Sequence, residues 1–485
     1  MSSTVEQNGA AQPLCVDLDG TLTKTDTLVE AAFSLLKQQP MSLLKMPLWL
    51  LRGKASFKER ISSRTELAVE LLPYNQDVIE FVTAEKQWRN TVLVTGSNQR
   101  VAEQVAGHLG IFDEVLASDS SKNLTGRQKQ SVLEAKYGQQ GYDYIGNSRV
   151  DWPVWQSAHQ SLVVAKRGRF LSKVEKEFKP VHVFELEALS FRKFCKAIRV
   201  HQWLKNLLIF VPLLLEHRIS DLQALLGLVL CFFCLSLFAS ATYLINDLLD
   251  LDADRMNSTK KTRAFASGLI EPQHGVVLLL ALFALSMALA WWLPLDFFLV
   301  LMVYGVTTLA YSFWLKREVM VDVCILAALF TLRIIAGGTA IDAEWSFWLL
   351  AFSMFFFLSL ALGKRASEIA NAINEHKETI SGRGYTTADL PMLTTAGVAA
   401  GYMSVLIVAL YINSDKVALM YAYPEVLWMV CPLLLYWVGR FWMIVSRGAM
   451  HEDPIVFAMR DRVSFMTVGL CMAIVLGGSV AAYYL

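Results

Sequence analysis

The second half of the chain is a series of long apolar runs, and this feature constrains the fold more than any other. A helix needs about 20 mainly apolar residues to cross the hydrocarbon core of a bilayer. Nine segments meet or approach that length, at 204–216, 222–245, 274–294, 296–314, 319–341, 345–363, 391–412, 424–446 and 464–485. The sequence therefore predicts an all-α membrane bundle of nine transmembrane helices over residues 204–485 and excludes a soluble enzyme there.

Lysine and arginine are unevenly distributed over the loops between these segments. The loops after the second, fourth, sixth and eighth segments carry thirteen of them, whereas the other loops carry two, Arg218 and Lys416. Cytoplasmic loops of membrane proteins are enriched in Lys and Arg. We therefore expect a multi-pass protein of the cell (inner) membrane whose basic loops face the cytoplasm.

The residues before the first apolar run have the mixed polarity of a soluble domain. Residues 1–13 are polar and lack the features of a signal peptide, so we expect a disordered N-terminus followed by a cytoplasmic domain. No Lys/Arg-rich tract with interleaved aromatic residues supports binding to nucleic acid. The seven cysteines are scattered, and we interpret them as packing residues rather than metal ligands or disulfide partners.

Residues 171–203 connect the two parts and include an amphipathic segment. Its apolar residues recur with the spacing of one helix face, at Phe191, Phe194, Cys195 and Ile198. Basic residues occupy the other face, at Arg192, Lys193, Lys196 and Arg199. A basic amphipathic helix binds the anionic surface of a membrane. We predict an interfacial helix over 191–206, and a packed linker helix is the alternative.

Polar side chains follow three predicted strands of the soluble part. The strand LCV ends in 17-DLDGTLT-23, TVLVT ends in Thr95, and YDYI is followed by Asn147 and Asp151. Open α/β sheets bind ligands at the carboxyl ends of their strands. One aspartate of the first loop can attack a phosphoryl group while the other moves the proton, and Thr95 and Lys129 can bind its oxygens.

This ordered set resembles the haloacid dehalogenase (HAD) superfamily of phosphatases. The resemblance implies an α/β, Rossmann-type domain over residues 14–170 with a helical cap at about 27–88. It also implies roles for individual residues: Asp17 as nucleophile, Asp19 as acid/base, Thr95 and Lys129 as phosphate ligands, and Asp17, Asp19, Asn147 and Asp151 around Mg²⁺. Asn147 stands where the family often has an aspartate, and its amide oxygen is a weaker ligand. A non-catalytic scaffold is the alternative.

The second apolar segment runs into an aspartate-rich stretch, 246-NDLLDLDAD-254. Asp247, Asp250 and Asp254 are three and four residues apart, so a helix places them on one stripe. Mg²⁺ prefers a few carboxylates together with phosphate oxygens, and the stripe therefore predicts a magnesium-bound diphosphate. Three basic residues that follow are candidates for phosphate contacts or belong to the cytoplasmic charge pattern: Lys260, Lys261 and Arg263.

This stretch resembles the first signature of the UbiA superfamily of intramembrane prenyltransferases, over about 195–485. The resemblance implies an enzyme acting on a polyprenyl lipid, with Mg²⁺ and the diphosphate held by Asn246, Asp247, Asp250 and Asp254. The loop 363–385 lacks a second aspartate cluster and is basic. Together with the fragments 199–206, 311–322 and 453–461, it resembles the decaprenyl-phosphate phosphoribosyltransferase branch.

That branch joins a polyprenyl phosphate to phosphoribosyl pyrophosphate. The resemblance implies phosphate contacts from Lys205, Lys316 and either Lys364 or Arg365. Asp322 could orient the ribose or a basic neighbour, or cap a helix, and Arg333 is expected to face a polar cavity. The fused phosphatase suggests removal of the 5-phosphate from the transfer product.

Two other classes of function remain open. One is an aromatic prenyltransferase that uses a prenyl diphosphate and a quinone-precursor acid, and the basic loop argues against it. The other is a membrane protein without catalysis whose soluble domain binds a partner, and the aspartate stretch argues against it. The sequence leaves the oligomeric state and the lipid chain length undetermined.

Overall fold

The computed structural model describes residues 12–39, 41–51, 54–65, 67–119, 123–216, 218–374, 376, 383–415, 417, 421, 423–450 and 454–480. The chain forms two compact units. The first consists of Met1–Arg199 with Tyr243–Ala281, and the second of Val200–Thr242 with Leu282–Leu485.

A six-stranded parallel sheet is the centre of the first unit. The strands are β1 (Leu14–Val16), β2 (Thr91–Asn98), β3 (Glu114–Ser118), β4 (Asp143–Gly146), β5 (Ser161–Ala165) and β6 (His182–Glu185). Their order is β3-β2-β1-β4-β5-β6. The central strands are short apolar runs because both of their faces are buried. This sheet confirms the predicted α/β class.

Helices cover both faces of the sheet. In chain order they are α1 (Thr27–Gln38), α2 (Ser42–Leu50), α3 (Lys54–Ser62), α4 (Gln76–Glu85), α5 (Gln99–Leu109), α6 (Arg127–Tyr137), α7 (Trp152–Ser157) and α8 (Arg169–Phe178). Leu14 and Val16 point to the face of α4 and α5, whereas Cys15 points to that of α6 to α8. Helices α1 to α3 share a small core of their own around Leu35 and Trp49.

The linker segment is helical over a shorter range than predicted. Helix α9 covers Phe191–Ala197, and a 3-10 stretch over Val200–Phe210 leads into α10 (Val211–Leu215). Arg199 has a φ of 56°, a left-handed conformation that interrupts a right-handed helix. The amphipathic pattern therefore continues through residues that do not form one helix.

The remaining helices carry the apolar runs of the sequence. They are α11 (Leu222–Leu249), α12 (Leu251–Met256), α13 (Pro272–Ala290), α14 (Leu295–Phe313), α15 (Val321–Ala340), α16 (Phe347–Asn374), α17 (Leu390–Ile412), α18 (Val430–Ser446), α19 (Pro454–Arg460) and α20 (Arg462–Val480). Small residues let them pack closely, as at Gly401, whose Cβ position would lie 2.6 Å from Val438 Cγ1.

Seven helices among the described residues are long and apolar enough to cross a membrane, or eight if the bent pair Phe191–Ala197 and Val200–Leu215 is one span. The protein is therefore a multi-pass membrane protein. The predicted number of nine is not confirmed. The segment 204–216 is not a single straight helix, and Arg462–Gly477 is shorter than the other spans.

Candidate functional site

The HAD-like motif residues meet at one edge of the parallel sheet. Asp17 and Asp19 follow β1, Thr95 lies in β2, and Asp151 follows β4. Because β1 lies between β2 and β4, the three strand ends are adjacent. Thr95 is fully buried, and its Oγ1 accepts a hydrogen bond from Ser97 N at 3.0 Å. The predicted neighbourhood of these side chains is therefore present.

Lys129 is the cation of this group. Its Nζ donates to Asp17 Oδ1 at 2.8 Å and to Tyr144 Oη at 2.8 Å, and it lies 3.8 Å from Asp151 Oδ1. Burial, opposed by Lys129, raises the pKa of Asp17 to about 7. Although burial opposes it, the carboxylates of Asp17 and Asp151 raise the pKa of Lys129. The ammonium therefore stays charged beside the candidate nucleophile.

Asp19 is held by three hydrogen bonds. Thr27 donates to Oδ1 from its N and its Oγ1, both at 2.8 Å, and Ser97 Oγ donates to Oδ2 at 2.5 Å. Thr27 opens α1 and Ser97 lies near the end of β2, so two elements fix the candidate acid/base. Neither hydroxyl was singled out from the sequence.

Asp151 shapes the loop that follows β4. Its Oδ2 accepts hydrogen bonds from Asn147 N at 3.1 Å and Ser148 N at 3.0 Å, and its Oδ1 accepts from Tyr144 Oη at 2.8 Å. The Asn147 side chain lies against Gly20, where a Cβ would collide with it. Asn147 therefore points towards the loop of the two candidate catalytic aspartates.

These donors fit Mg²⁺ chemically. Carboxylate and amide oxygens are the hard ligands that Mg²⁺ prefers. Asp17 and Asp151 both pair with the ammonium of Lys129, and Asp19 accepts hydrogen bonds from Thr27 and Ser97, so an additional cation would offset negative charge among these three carboxylates. Within the described residues, no three His, Cys, Asp or Glu side chains are grouped as ligands of one metal ion.

The aspartate-rich stretch is divided between two helices. Helix α11 ends at Leu249 and α12 begins at Leu251, but Asp250 N still donates to Asn246 O at 2.9 Å and Asp254 N to Asp250 O at 2.8 Å. The helical spacing therefore continues through the break. It keeps Asp247 and Asp254 close enough to share a ligand.

Both carboxylates accept hydrogen bonds from the guanidinium group of Arg263. Its Nη1 donates to Asp247 Oδ1 at 3.1 Å and to Asp254 Oδ2 at 2.7 Å. Arg199 also pairs with Asp247, and its Nε donates to Oδ2 at 3.3 Å. Because this nitrogen lies between two carboxylates, its position suits a cation. The carboxylate oxygens of Asp247 and Asp254 are ligands that Mg²⁺ prefers. Lys260 and Lys261, the other predicted phosphate residues of this loop, are exposed.

A second polar cluster lies in the other unit around Asp322. Arg365 Nε donates to Asp322 Oδ2 at 2.5 Å, and Tyr385 Oη donates to Oδ1. Arg365 and Asp322 are fully buried. Arg365 and Arg383 both donate to Tyr311 Oη, at 3.2 and 3.1 Å, and both pair with Glu368. Asp322 therefore contacts basic neighbours, one of the roles open from the sequence.

The other predicted basic residues of this unit differ in their surroundings. Lys316 and Lys364 are half-buried. Arg333 is 5% exposed and donates to Asn206 Oδ1 at 2.9 Å and to Tyr304 Oη at 3.0 Å. Its guanidinium and the Lys205 ammonium both lie over the Phe330 ring, 5.0 and 5.8 Å from the centroid. Arg333 is therefore held in polar surroundings.

An apolar cavity of about 510 Å³ lies within the same unit. Its lining includes Lys205, Phe356, Trp437 and Phe465. Because most lining residues are apolar, the cavity suits a hydrocarbon chain.

The family model of the UbiA prenyltransferase family matches residues 208–482. The chain belongs to this family. A second family model, haloacid dehalogenase-like hydrolase, matches residues 14–155. The protein is therefore a UbiA-family membrane enzyme with a transferase-type domain and an N-terminal HAD-like domain of phosphatase type.

Three relatives illustrate the range of similarity. The uncharacterized protein y4nM of Sinorhizobium fredii is 38% identical and covers 93% of this chain and 88% of its own length. The nodulation protein NoeC of Azorhizobium caulinodans is 34% identical over 59% of this chain and 94% of its own. A decaprenyl-phosphate phosphoribosyltransferase of Mycolicibacterium smegmatis is 38% identical, but over 36% of this chain and 56% of its own.

Sequence reasoning missed several contact residues. Tyr144 bridges Lys129 and Asp151 but reads as an ordinary strand residue. Lys58 of α3 donates to Gly96 O at 2.6 Å, next to Thr95. Its position within a helix-rich stretch gave no signal, because the contact joins residues far apart in sequence.

Proposed function

We propose that the UbiA domain transfers 5-phosphoribosyl from phosphoribosyl pyrophosphate to a polyprenyl phosphate, with Mg²⁺ as cofactor. The observation that carries this proposal is the convergence of Asp247 and Asp254 on one cationic nitrogen. The partial similarity to a decaprenyl-phosphate phosphoribosyltransferase supports the choice of substrates.

The reaction is a displacement at the anomeric carbon. A lipid phosphate oxygen forms the new bond to this carbon as the bond to pyrophosphate breaks. The lipid phosphate is already ionised, so no strong base is required. Asn246, Asp247, Asp250 and Asp254 would hold Mg²⁺, which stabilises charge on the leaving pyrophosphate. The chain's other contribution is to position the two substrates.

Basic residues take the phosphate contacts in this proposal. Those near the aspartates are Lys260, Lys261 and Arg263, and those of the second unit are Lys205, Lys316 and Lys364. Arg365 acts from within its ion pairs, so its effect is to orient neighbouring groups. The apolar cavity beside Lys205 supports a place for the lipid chain, with the ammonium near its polar end.

The HAD-like domain has a hydrolytic role in the same proposal. Asp17 attacks the 5-phosphate of the transfer product, and Asp19 gives a proton to the departing sugar oxygen. Water then cleaves the aspartyl-phosphate with Asp19 as base. Thr95 and Lys129 bind phosphoryl oxygens, and Asp17, Asp19, Asn147 and Asp151 would surround Mg²⁺.

The same proposal includes the location of the protein. The positive loops support an inner-membrane protein whose HAD-like domain, with its cap at about 27–88, faces the cytoplasm. The count of nine spans, the interfacial helix and the domain limits at 14–170 and 204–485 remain predictions within it.

The test is a transfer assay on purified protein in detergent with Mg²⁺. One tube contains polyprenyl phosphate and labelled phosphoribosyl pyrophosphate, and the other a prenyl diphosphate and 4-hydroxybenzoate. We expect label in the lipid in the first tube, lost in Asp250→Ala. It should be retained in Asp252→Ala, the same change at the half-buried aspartate between Asp250 and Asp254. Product in the second tube alone would identify an aromatic prenyltransferase instead.

A further inference from the structure

The segment that follows the aspartate-rich stretch is anchored to the HAD-like domain within the first unit. Arg255, next to Asp254, donates to both carboxylate oxygens of Glu30 in α1, at 3.0 and 2.6 Å. The two side chains are 6% and 3% exposed. Arg255 Nε also donates to Ala266 O at 3.0 Å. A bidentate arginine–carboxylate pair fixes orientation as well as distance, so this pair fixes the position of α12.

A second anchor lies on the far side of the loop that carries Arg263. Gly268 has a φ of 72°, and a Cβ there would lie 2.7 Å from Lys24 Cβ and 3.2 Å from Pro73 Cβ. Glycine alone allows both this conformation and this close approach. The loop is therefore held against the HAD-like domain before and after Arg263.

Each side of this connection leads to a candidate catalytic carboxylate. Glu30 lies one turn after Thr27, which binds Asp19. Arg255 follows Asp254, which shares Arg263 with Asp247. A short series of direct contacts thus joins the acid/base of one domain to the aspartates of the other.

We propose that Glu30 and Arg255 are positioning residues of the transferase. Through them the HAD-like domain holds Asp254 next to Asp247, and the loop of Arg263 beside both, so that the two carboxylates are placed to bind a magnesium-bound diphosphate. This inference rests on the proposed function for one point, that the ligand is a diphosphate. Phosphoribosyl donors and prenyl donors both carry this group. The HAD-like domain then contributes to transfer by its structure, independently of its own chemistry.

The experiment measures the dissociation constant of Mg²⁺ with inorganic pyrophosphate on the full-length protein, by calorimetry. We expect Glu30→Gln to weaken binding about tenfold, the usual effect of losing a residue that orients metal ligands. Glu80→Gln makes the same chemical change at an exposed glutamate of α4 and should bind as wild type does.

A paired substitution separates positioning from a general loss of structure. Glu30→Leu with Arg255→Met replaces a buried ion pair by apolar packing, which proteins tolerate well. We expect this pair to bind within about twofold of wild type, since it restores the contact between α1 and α12.

The outcomes decide the proposal. A folded Glu30→Gln protein with wild-type affinity overturns it. If Glu30→Gln does not fold, the pair is compared with Arg255→Met alone: binding that the single change weakens about tenfold and the pair restores to near wild type supports positioning through this contact, and equal binding by the two folded variants overturns it. Wild-type protein that binds magnesium pyrophosphate but transfers no phosphoribosyl contradicts the proposed function alone.

Discussion

Two clusters of charged side chains, one in each unit, differ in how their charges are balanced. At the carboxyl ends of the strands, Asp17 and Asp151 both pair with Lys129, and the nearby Asp19 accepts hydrogen bonds from Thr27 and Ser97. Around Asp322, two carboxylates and two guanidinium groups contact one another, and two tyrosine hydroxyls complete their hydrogen bonds.

The difference indicates what each cluster requires. A buried carboxylate is costly unless a cation and hydrogen bonds offset its charge. The first cluster is short of positive charge and suits a site that receives Mg²⁺ and a phosphate. The second is balanced without a ligand, so its ion pairs contribute first to the packing of α15 and α16 and only then to any phosphate contact.

The largest expected effect is at the nucleophile of the first cluster. Asp17→Asn should reduce phosphate release from a phosphate monoester by about 10⁴-fold or more, because an amide cannot form the aspartyl-phosphate. Phosphate release from p-nitrophenyl phosphate measures it, with Asp77→Asn in α4 as control. Unchanged 5-phosphate release from the phosphoribosyl lipid would contradict the hydrolytic role.

The balanced cluster should respond in stability. Asp322→Asn leaves the fully buried Arg365 without its fully buried carboxylate partner, and we expect about 3–5 kcal/mol of destabilisation. Thermal unfolding in detergent measures the change. Asp342→Asn at an exposed position of positive φ is the matched control and should unfold like wild type. An equal melting temperature for Asp322→Asn would mean that the cluster is not structural.

The smallest expected effect is a change in Mg²⁺ affinity with pH at the first cluster. Burial raises the pKa of Asp17 to about 7. Below this pH a proton occupies the carboxylate and competes with Mg²⁺, and above it the carboxylate is ionised and can bind the ion. We expect Mg²⁺ to bind about tenfold more tightly at pH 8 than at pH 6.

Mg²⁺ titrations followed by thermal shift test this expectation. The Asp250→Ala background removes a proposed ligand of the transferase site, so that the titration reports the HAD-like site. Equal affinity at the two pH values would contradict an ion-binding Asp17 that titrates near pH 7.

The HAD-like site was predictable because Asp17, Thr95 and Asp151 lie near or after the carboxyl ends of apolar strands. The strand order places the loops after β1, β2 and β4 side by side, so local patterns were enough to bring Asp17, Thr95 and Asp151 together. The Glu30–Arg255 pair could not be found in the same way. It joins residues 225 positions apart, and neither belongs to a recognisable motif.

The membrane part shows a different limit. Apolar length identifies the spans, but it does not show where a helix breaks. The apolar pattern has no counterpart of the positive φ at Arg199 or of the break at Asp250, and Arg199 pairs with Asp247, 48 positions away. The pattern therefore predicted the stripe of aspartates but not the arginines that contact them.

The division of the chain into units has a practical consequence for anyone who cuts it. Residues 243–281 form one body with the first 199 residues, and Leu251, Phe265 and Ala266 are buried there. Expression of the chain from residue 204 onward would leave the buried Arg255 without Glu30, and expression of the first 199 residues would leave Glu30 without Arg255. A soluble HAD-like fragment and a minimal transferase are therefore poor starting points for biochemistry, and the intact polypeptide is the smallest unit to purify.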